Sequence, residues 1–395
     1  MPDAAPASAE PVLVLNAGSS SLKARLSPAG VAVGIERIGE DAPSPVTVGG
    51  RREGERRVPD VATAIQVVLD ALGARSDTPR IELVGHRVVH GGERHRAPLR
   101  ISDRALQDLE ALAPLAPLHL PGNLAGIRAA RTALPDAIQV AVFDTAFHAG
   151  LPRRAYLYGL PMRLYREEGV RRYGFHGPSH DVVSTRIAER LGRSRGELRI
   201  VTLHLGNGAS AAAVQFGRSV DTTMGFTPLE GLMMGTRPGD VDPGILMHLL
   251  RQGWTAEALD RTLNRSSGLL GLSGVSNDLR DVWAAADGGD EDAAAALEVY
   301  AYRIRKTIGA YAAAMGGLDA VAFTGGVGEN DARMRAAATE ELDFLGLRLD
   351  PDANAAHGPR IGAQGARVAC WVIPTDEEGR IAELVRAAAR GEDGA

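Results

Sequence analysis

Two stretches of this chain repeat one pattern. VLVLN, from Val12, is a short apolar run that ends in the turn residues AGSSS and resumes as the alternating LKARL; RIVTLHL, from Arg199, ends in GNGAS and resumes as AAAVQFG. An apolar run, a cluster of Gly, Ser or Asn, and a second run read as strand, tight turn and returning strand. Further apolar runs at 31–38, 81–90, 137–143 and 319–323 read as strands. Helical spacing over 61–72, 103–112, 122–133, 290–315 and 331–342 alternates with them, with a Gly-rich turn after 319–323. Such alternation predicts layered α/β structure. The expected fold is two related α/β lobes with a cleft between them. The 395 residues suit two domains, and the boundary is expected near 143–150, where a strand gives way to loop.

Composition narrows the function classes. The net charge is −5, the pI is near 6.1, and no basic arm or stripe occurs, which argues against nucleic acid or an anionic membrane as partner. Cys370 is the only cysteine, so no internal disulfide forms. No apolar run approaches ~18 residues, so no membrane span is predicted. The opening MPDAAPASAEP lacks the form of a signal peptide. These features predict a cytoplasmic protein with a disordered tail over 1–11. Of the 44 basic residues two are lysines, Lys23 and Lys306, and 42 are arginines. Codon bias accounts for most of that imbalance, yet Lys offers a compact charge where Arg offers a planar fork.

The polar segments sit at strand ends. Asn16-Ala17-Gly18-Ser19-Ser20-Ser21-Leu22-Lys23 gathers small residues, hydroxyls and one lysine, as an anion-binding turn does. Arg87 lies inside an apolar run, where alternation buries it on one face, and a buried arginine needs an anionic partner. His86, His90 and His95 have no carboxylate or thiolate pattern beside them that would make a zinc site. Asp144 follows the apolar strand AIQVAVF, at a position suited to a cleft. Tyr173-Gly174-Phe175-His176-Gly177 and His204-Leu205-Gly206-Asn207-Gly208 place histidines among glycines. The stretch from Asp221 to Asp240 carries Gly, Met and polar groups with little apolar periodicity, and holds Arg237 between Thr236 and Pro238. A guanidinium held there suits a transferring phosphoryl group.

Taken in order, VLNAGSSSLK, YGFHGPSH, HLGNGAS, TTMGFTPLEGLMMGTRPGD and FTGGVGEN resemble the acetokinase family of the acetate and sugar kinase/Hsp70/actin superfamily, from Val12 to about Ala382. The resemblance implies two ribonuclease H-like lobes: an N-terminal lobe over 12–147 with a C-terminal helix of about 376–395 packed back on it, and a nucleotide-binding lobe over 148–375. It implies Mg²⁺ (or Mn²⁺) held with Asn16 and Glu377. Ser19, Ser21 and Lys23 would lie near the nucleotide phosphates. Arg87 would bind the acyl substrate, Arg237 and His176 would stabilise the transferring phosphoryl, and Asp144 would be the catalytic acid. His204, Leu205, Gly206, Asn207 and Gly208 would contact phosphates. Asp278, Leu279 and Arg280 would flank the adenosine, with Gly325, Gly326, Val327, Gly328, Glu329 and Asn330. Val89, Leu118, Phe175 and Pro228 would surround the methyl of the acid. Leu120, Gly122, Pro238, Leu279 and Asp376 depart from the residues usual in the family.

The implied activity is reversible in-line transfer of the ATP γ-phosphoryl to acetate, giving acetyl phosphate and ADP, by a homodimer. A propionate or butyrate kinase is the near alternative. A nucleotide-dependent binding module of the actin or Hsp70 kind is the distant one. The attacking carboxylate, with a pKa near ~4 to 5, is ionised at neutral pH and needs no base. Asp144 is therefore expected to position groups more than to move a proton.

Overall fold

The computed structural model describes residues 9–76 and 78–392; residues 1–8 of the expected tail lie outside the described residues. The chain forms two compact units, one of Met1–Ala146 with Asp376–Ala395 and one of Phe147–Thr375. Among the described residues no helix is long and apolar enough to cross a membrane.

The first unit is built on an eight-stranded sheet: β1 (Val12–Ala17), β2 (Ser21–Ser27), β3 (Val31–Glu36), β4 (Ser44–Val48), β5 (Arg51–Arg56), β6 (Leu83–Val88), β7 (Leu99–Arg100) and β8 (Ile138–Phe143), in the order β5-β4-β3-β2-β1-β6-β8-β7. β1 runs antiparallel to β2 and parallel to β6, and β6 runs parallel to β8. Strand alternation sends Leu13 and Leu15 to one face, where they share a core with Ala64, Ile65 and Val68 of the Val61–Gly73 helix. Val12 and Val14 point the other way, into a core with Leu83, Val140, Val142 and Ile381, Ala382 and Val385 of the Glu377–Arg390 helix. Gly85 keeps that helix close: a Cβ there would stand 2.7 Å from Val385 Cγ2. The β4–β5 pair has no counterpart in the sequence expectations. Every residue of β5, RREGER, is exposed, so no apolar alternation marks it.

The second unit holds β9 (Arg199–Leu205), β10 (Ala209–Gln215), β11 (Arg218–Thr222), β12 (Ala320–Thr324) and β13 (Ala369–Val372), in the order β11-β10-β9-β12-β13. β9–β10–β11 is antiparallel, while β12 runs parallel to both β9 and β13. The strands β3-β2-β1-β6-β8 repeat these senses one for one. The repeated hairpins thus head the same sheet topology in both units. Ile200, Ala212, Val214, Ala320 and Ala322 pack against Val183, Ile187 and Ala188 of the Gly177–Leu191 helix. The expected Gly-rich turn at 325–330 is instead a short helix, Gly325–Asn330. Its first turn closes because the Glu329 carboxylate accepts from Gly325 N at 3.0 Å.

Candidate active site

In the first unit the polar residues extend one face of the sheet beyond its core. The alternation that buries Val12 and Val14 continues to Asn16 on β1; Leu83 and Gly85 lead to Arg87 on β6; Val140 and Val142 lead to Asp144 just past β8. All three stand at the C-terminal ends of strands that run parallel, where α/β sheets place their ligand sites. The N-terminus of the Glu377–Arg390 helix brings Glu377 to the same face.

The geometry is tight. Arg87 Nε and Nη2 donate to the two Asp144 carboxylate oxygens at 2.8 and 2.9 Å, and Nη1 stands 2.9 Å from Glu377 Oε2. Burial alone would weaken Arg87 as a cation, but Asp144 and Glu377 outweigh it and hold the guanidinium charged. Burial pushes the Glu377 carboxyl up, Arg87 opposes this, Asp144 adds to it, and Lys23 opposes it. Lys23 pairs across the β1–β2 ladder with Asn16 and is itself exposed, between buried Leu22 and Ala24. The anionic partner that the apolar surroundings of Arg87 required is therefore a pair of carboxylates.

Two further residues brace this cluster. Asn123 is buried; its Nδ2 donates to Ala17 O at 2.6 Å and its Oδ1 accepts from Val89 N at 3.0 Å, tying the Gly18–Ser21 turn to the strand that carries Arg87. Gly122 lies against the same turn, where a Cβ would come within 2.7 Å of Gly18 O, so this departure from the family pattern has a steric reason. Ser19 is exposed and Ser21 half-buried in that turn. Val89 packs beside Val88 and Phe143, whereas Leu118 is 47% exposed. His86 is a core residue, bonded through Nε2 to Gln139 Oε1 at 2.7 Å and pushed down to about 4 by burial. Among the described residues no three His, Cys, Asp or Glu gather as a metal site.

The second unit gathers a different set. The β9–β10 turn is closed by Gly206 N donating to Gly208 O at 3.0 Å. A Cβ at Gly208 would stand 2.7 Å from Arg237 Nη2 and 3.7 Å from His176 Cε1, so both side chains lie close against the turn. Arg237 Nη1 donates to Pro228 O at 2.5 Å. Burial lowers its basicity, and among the described residues no carboxylate is paired with it. A half-buried guanidinium with no acidic partner is suited to an anion.

The loop that holds Arg237 is clamped from below. Arg172 Nη1 donates to Thr222 O and Thr223 O, both at 2.9 Å, and its Nη2 to Glu230 Oε1 at 2.6 Å. Tyr158 bonds Glu230 and accepts from Phe226 N. Gly235 N donates to Asn207 O at 3.0 Å, joining the loop to the β9–β10 turn.

His176 precedes the Gly177–Leu191 helix in the left-handed conformation, φ 57°, and its ring lies 4.4 Å from that of His204. The Phe175 side chain is buried beside it. Gly325, at φ 77°, would place a Cβ 2.7 Å from Leu205 O, so the Gly325–Asn330 helix starts directly against the end of β9. Nothing lies within 4 Å of the position a Cβ would take on Gly326, which leaves an open flat surface. Asn277 Nδ2 donates to Asn207 Oδ1 at 2.9 Å, and Asp278 caps the Leu279–Asp287 helix while pairing with the exposed Arg280, which holds the Asp278 carboxyl down at about 2.

The model of the acetokinase family matches residues 11–383. The chain belongs to the acetokinase family. Its sequence is 48% identical over 383 residues to an acetate kinase of Halothermothrix orenii, covering 93% of this chain and 96% of that one. It is 50% identical over 386 residues to a propionate kinase of Citrobacter rodentium, covering 95% and 96%. The crystal structure of Porphyromonas gingivalis acetate kinase superposes with a TM-score of 0.90 at 42% identity, over 96% of this chain and 100% of that one. This acetokinase is thus a kinase that phosphorylates a carboxylate, built of two α/β units and sharing the fold of acetate kinase.

Sequence reading did not single out Asn123, Arg172, Tyr158, Glu230 or Ser210. They touch the site through other residues, and only Tyr158 and Asn123 carried a local cue, a polar group amid apolar neighbours.

Proposed function

We propose that this acetokinase transfers the γ-phosphoryl of ATP to acetate in one in-line step, with Arg87 receiving the acceptor carboxylate and Arg237 and His176 receiving the phosphoryl oxygens. The half-buried guanidinium of Arg237, paired with no carboxylate among the described residues, carries the reading. An acetate oxygen attacks Pγ, the bond from Pγ to the bridging oxygen breaks, and ADP leaves with the electron pair. No proton moves, because the acceptor is already an anion. What must be overcome is repulsion between two anions, which positioned cations and donors relieve. Asp144 grips Arg87 through both oxygens, so it orients the fork and is not needed as a base.

The donor set near Arg87 suits Mg²⁺, which takes hard oxygen ligands from one or two carboxylates and otherwise keeps water and phosphate oxygens. The Glu377 carboxylate and the Asn16 amide would hold it, and bound there it would neutralise charge on the nucleotide phosphates. Ser19, Ser21, Lys23 and the 204–208 turn would bind nucleotide phosphates, with 278–280 and 325–330 binding the adenosine. Val89, Leu118, Phe175 and Pro228 would close on the acid's methyl. We read the enzyme as a cytoplasmic homodimer.

The propionate kinase at 50% identity supports a second reading, with propionate as acceptor. One methylene in an apolar pocket is worth only about 1–3 kcal/mol. The acetate reading expects kcat/KM to fall from acetate to propionate to butyrate, about tenfold or more at the first step. A maximum at propionate would replace it by the second reading.

Lys23 tests the phosphate assignment. Lys23→Arg substitutes a wide fork for a compact charge at the turn. We expect a several-fold rise in KM for ATP with little change in KM for acetate, measured by ADP release; an unchanged KM for ATP would remove Lys23 from the nucleotide site.

A further inference from the structure

Behind His176 lies a chain of hydrogen bonds that the proposed transfer does not use. His176 Nδ1 is 2.9 Å from Ser210 Oγ; the same oxygen is 2.8 Å from His180 Nε2; and His180 Nδ1 is 2.7 Å from Thr202 Oγ1. Ser210, His180 and Thr202 are fully buried. Strand alternation places Thr202 on β9 and Ser210 on β10 toward the Gly177–Leu191 helix, which carries His180 in its first turn.

The hydrogens in this chain have one consistent arrangement. Burial, with His148 and His204 adding to it, pushes His180 well below its ordinary value, so it is neutral and has one N–H. Ser210 and Thr202 each have one O–H. In one direction Thr202 O–H donates to His180 Nδ1, His180 Nε2–H donates to Ser210 Oγ, and Ser210 O–H donates to His176 Nδ1. Every hydrogen then has an acceptor. In the reverse direction His180 Nδ1–H donates to Thr202, and the Thr202 hydrogen has no acceptor among the described residues. Buried donors are rarely left unpaired.

We propose that the Thr202–His180–Ser210 chain holds His176 as the neutral tautomer with its hydrogen on Nε2, making it a fixed donor to the transferring phosphoryl group. The proposal rests on the reading of His176 as a phosphoryl contact. Ser210, His180 and Thr202 are positioning residues: they act through His176. An imidazole with its only hydrogen on Nδ1 would present a lone pair to an anion, and a charged one would reverse the whole chain. The first direction opposes both states.

The test uses full-length protein labelled with ¹⁵N-histidine, with two-bond ¹H–¹⁵N correlation spectra reading each imidazole's tautomer. The His176 signal is identified by its loss in His176→Gln. We expect the neutral Nε2–H pattern in the wild-type enzyme at pH 7.5. In Ser210→Ala the signal should move to a mixture of tautomers. Its kcat should fall about tenfold, as loss of an orienting partner behind a functional histidine commonly causes, with KM for ATP and acetate within about twofold of wild type. An Nδ1–H or imidazolium pattern in the wild-type spectrum overturns the proposal, and that spectrum decides even if Ser210→Ala does not fold. A Ser210→Ala enzyme with unchanged spectrum and kcat also overturns it. Unchanged kcat in His176→Gln would instead remove the phosphoryl contact itself, a failure that the wild-type spectrum keeps separate from failure of the tautomer.

Discussion

Replacing Arg237 with alanine is expected to cut kcat by about 10²- to 10³-fold while leaving the second unit as stable as before, or more so. The size follows from removal of one preorganised charge donor, worth about 2.7–4 kcal/mol in the transition state. The stability half follows from what Arg237 does not do. Its guanidinium is half-buried, its bond is to the Pro228 carbonyl, and among the described residues no carboxylate neutralises it. A charge held that way opposes folding, so deleting it relieves the folded state. Steady-state kinetics and thermal melting of the same sample check both halves. A variant that melts much earlier would show that Arg237 is a structural residue, and near-normal turnover would remove it from the transfer step.

Arg87→Ala should behave in the opposite way on stability. Its kcat should also fall by about 10²- to 10³-fold, with a rise in KM for acetate, but the fold should suffer. Arg87 stands between Asp144 and Glu377, 2.8 and 2.9 Å from their oxygens, with side-chain exposures of only 21%, 5% and 13%. Removing one partner of such a group leaves like charges facing each other, a loss of up to about 3–5 kcal/mol for fully buried pairs and less here because Arg87 is partly solvated. The effect has a sign in pH. Glu377 is already raised by burial and by Asp144, and Arg87 opposes that rise. Without the arginine its carboxyl titrates higher still. A carboxyl raised in the folded state favours folding when protonated, and that advantage is lost as pH climbs through the raised value. The melting deficit of Arg87→Ala relative to wild type should therefore shrink as pH is lowered from 8 toward 5. Arg87→Lys keeps the charge without the fork and should recover much of the stability and little of the rate. A deficit that grows toward acid would contradict the electrostatic account of this cluster.

The contrast between the two arginines also marks what the amino-acid order made legible. Arg87 in an apolar run demanded an anion, and Asp144 at the end of the neighbouring strand was near at hand once the sheet order was known. The repeated hairpins were legible because a strand, a turn of small residues and a returning strand are local. Glu377 was not derivable from local pattern: it lies 290 positions from Arg87 in numbering and reaches it only because the last helix packs on the first sheet. The clamp of Arg172 and Glu230 beneath the 221–240 loop is hidden for the same reason, being made of pairs far apart in sequence. The 325–330 segment read as a turn because its three glycines lack helical preference, and a side-chain bond from Glu329 back to Gly325 N closes it into a helix. Among the lysines, Lys23 falls in the phosphate turn, while Lys306 lies on the Glu291–Met315 helix beside Tyr302 and takes no part in the site.

The central claim is that a carboxylate accepts the phosphoryl group directly. Trapping with hydroxylamine reads this most directly, because an acyl phosphate yields a hydroxamate and unreacted acid does not. With the purified enzyme, ATP, Mg²⁺ and acetate, acetohydroxamate should form in step with ADP, and Arg237→Ala should suppress both together. ADP released at the same rate without acetate, and with no hydroxamate formed, would contradict the account.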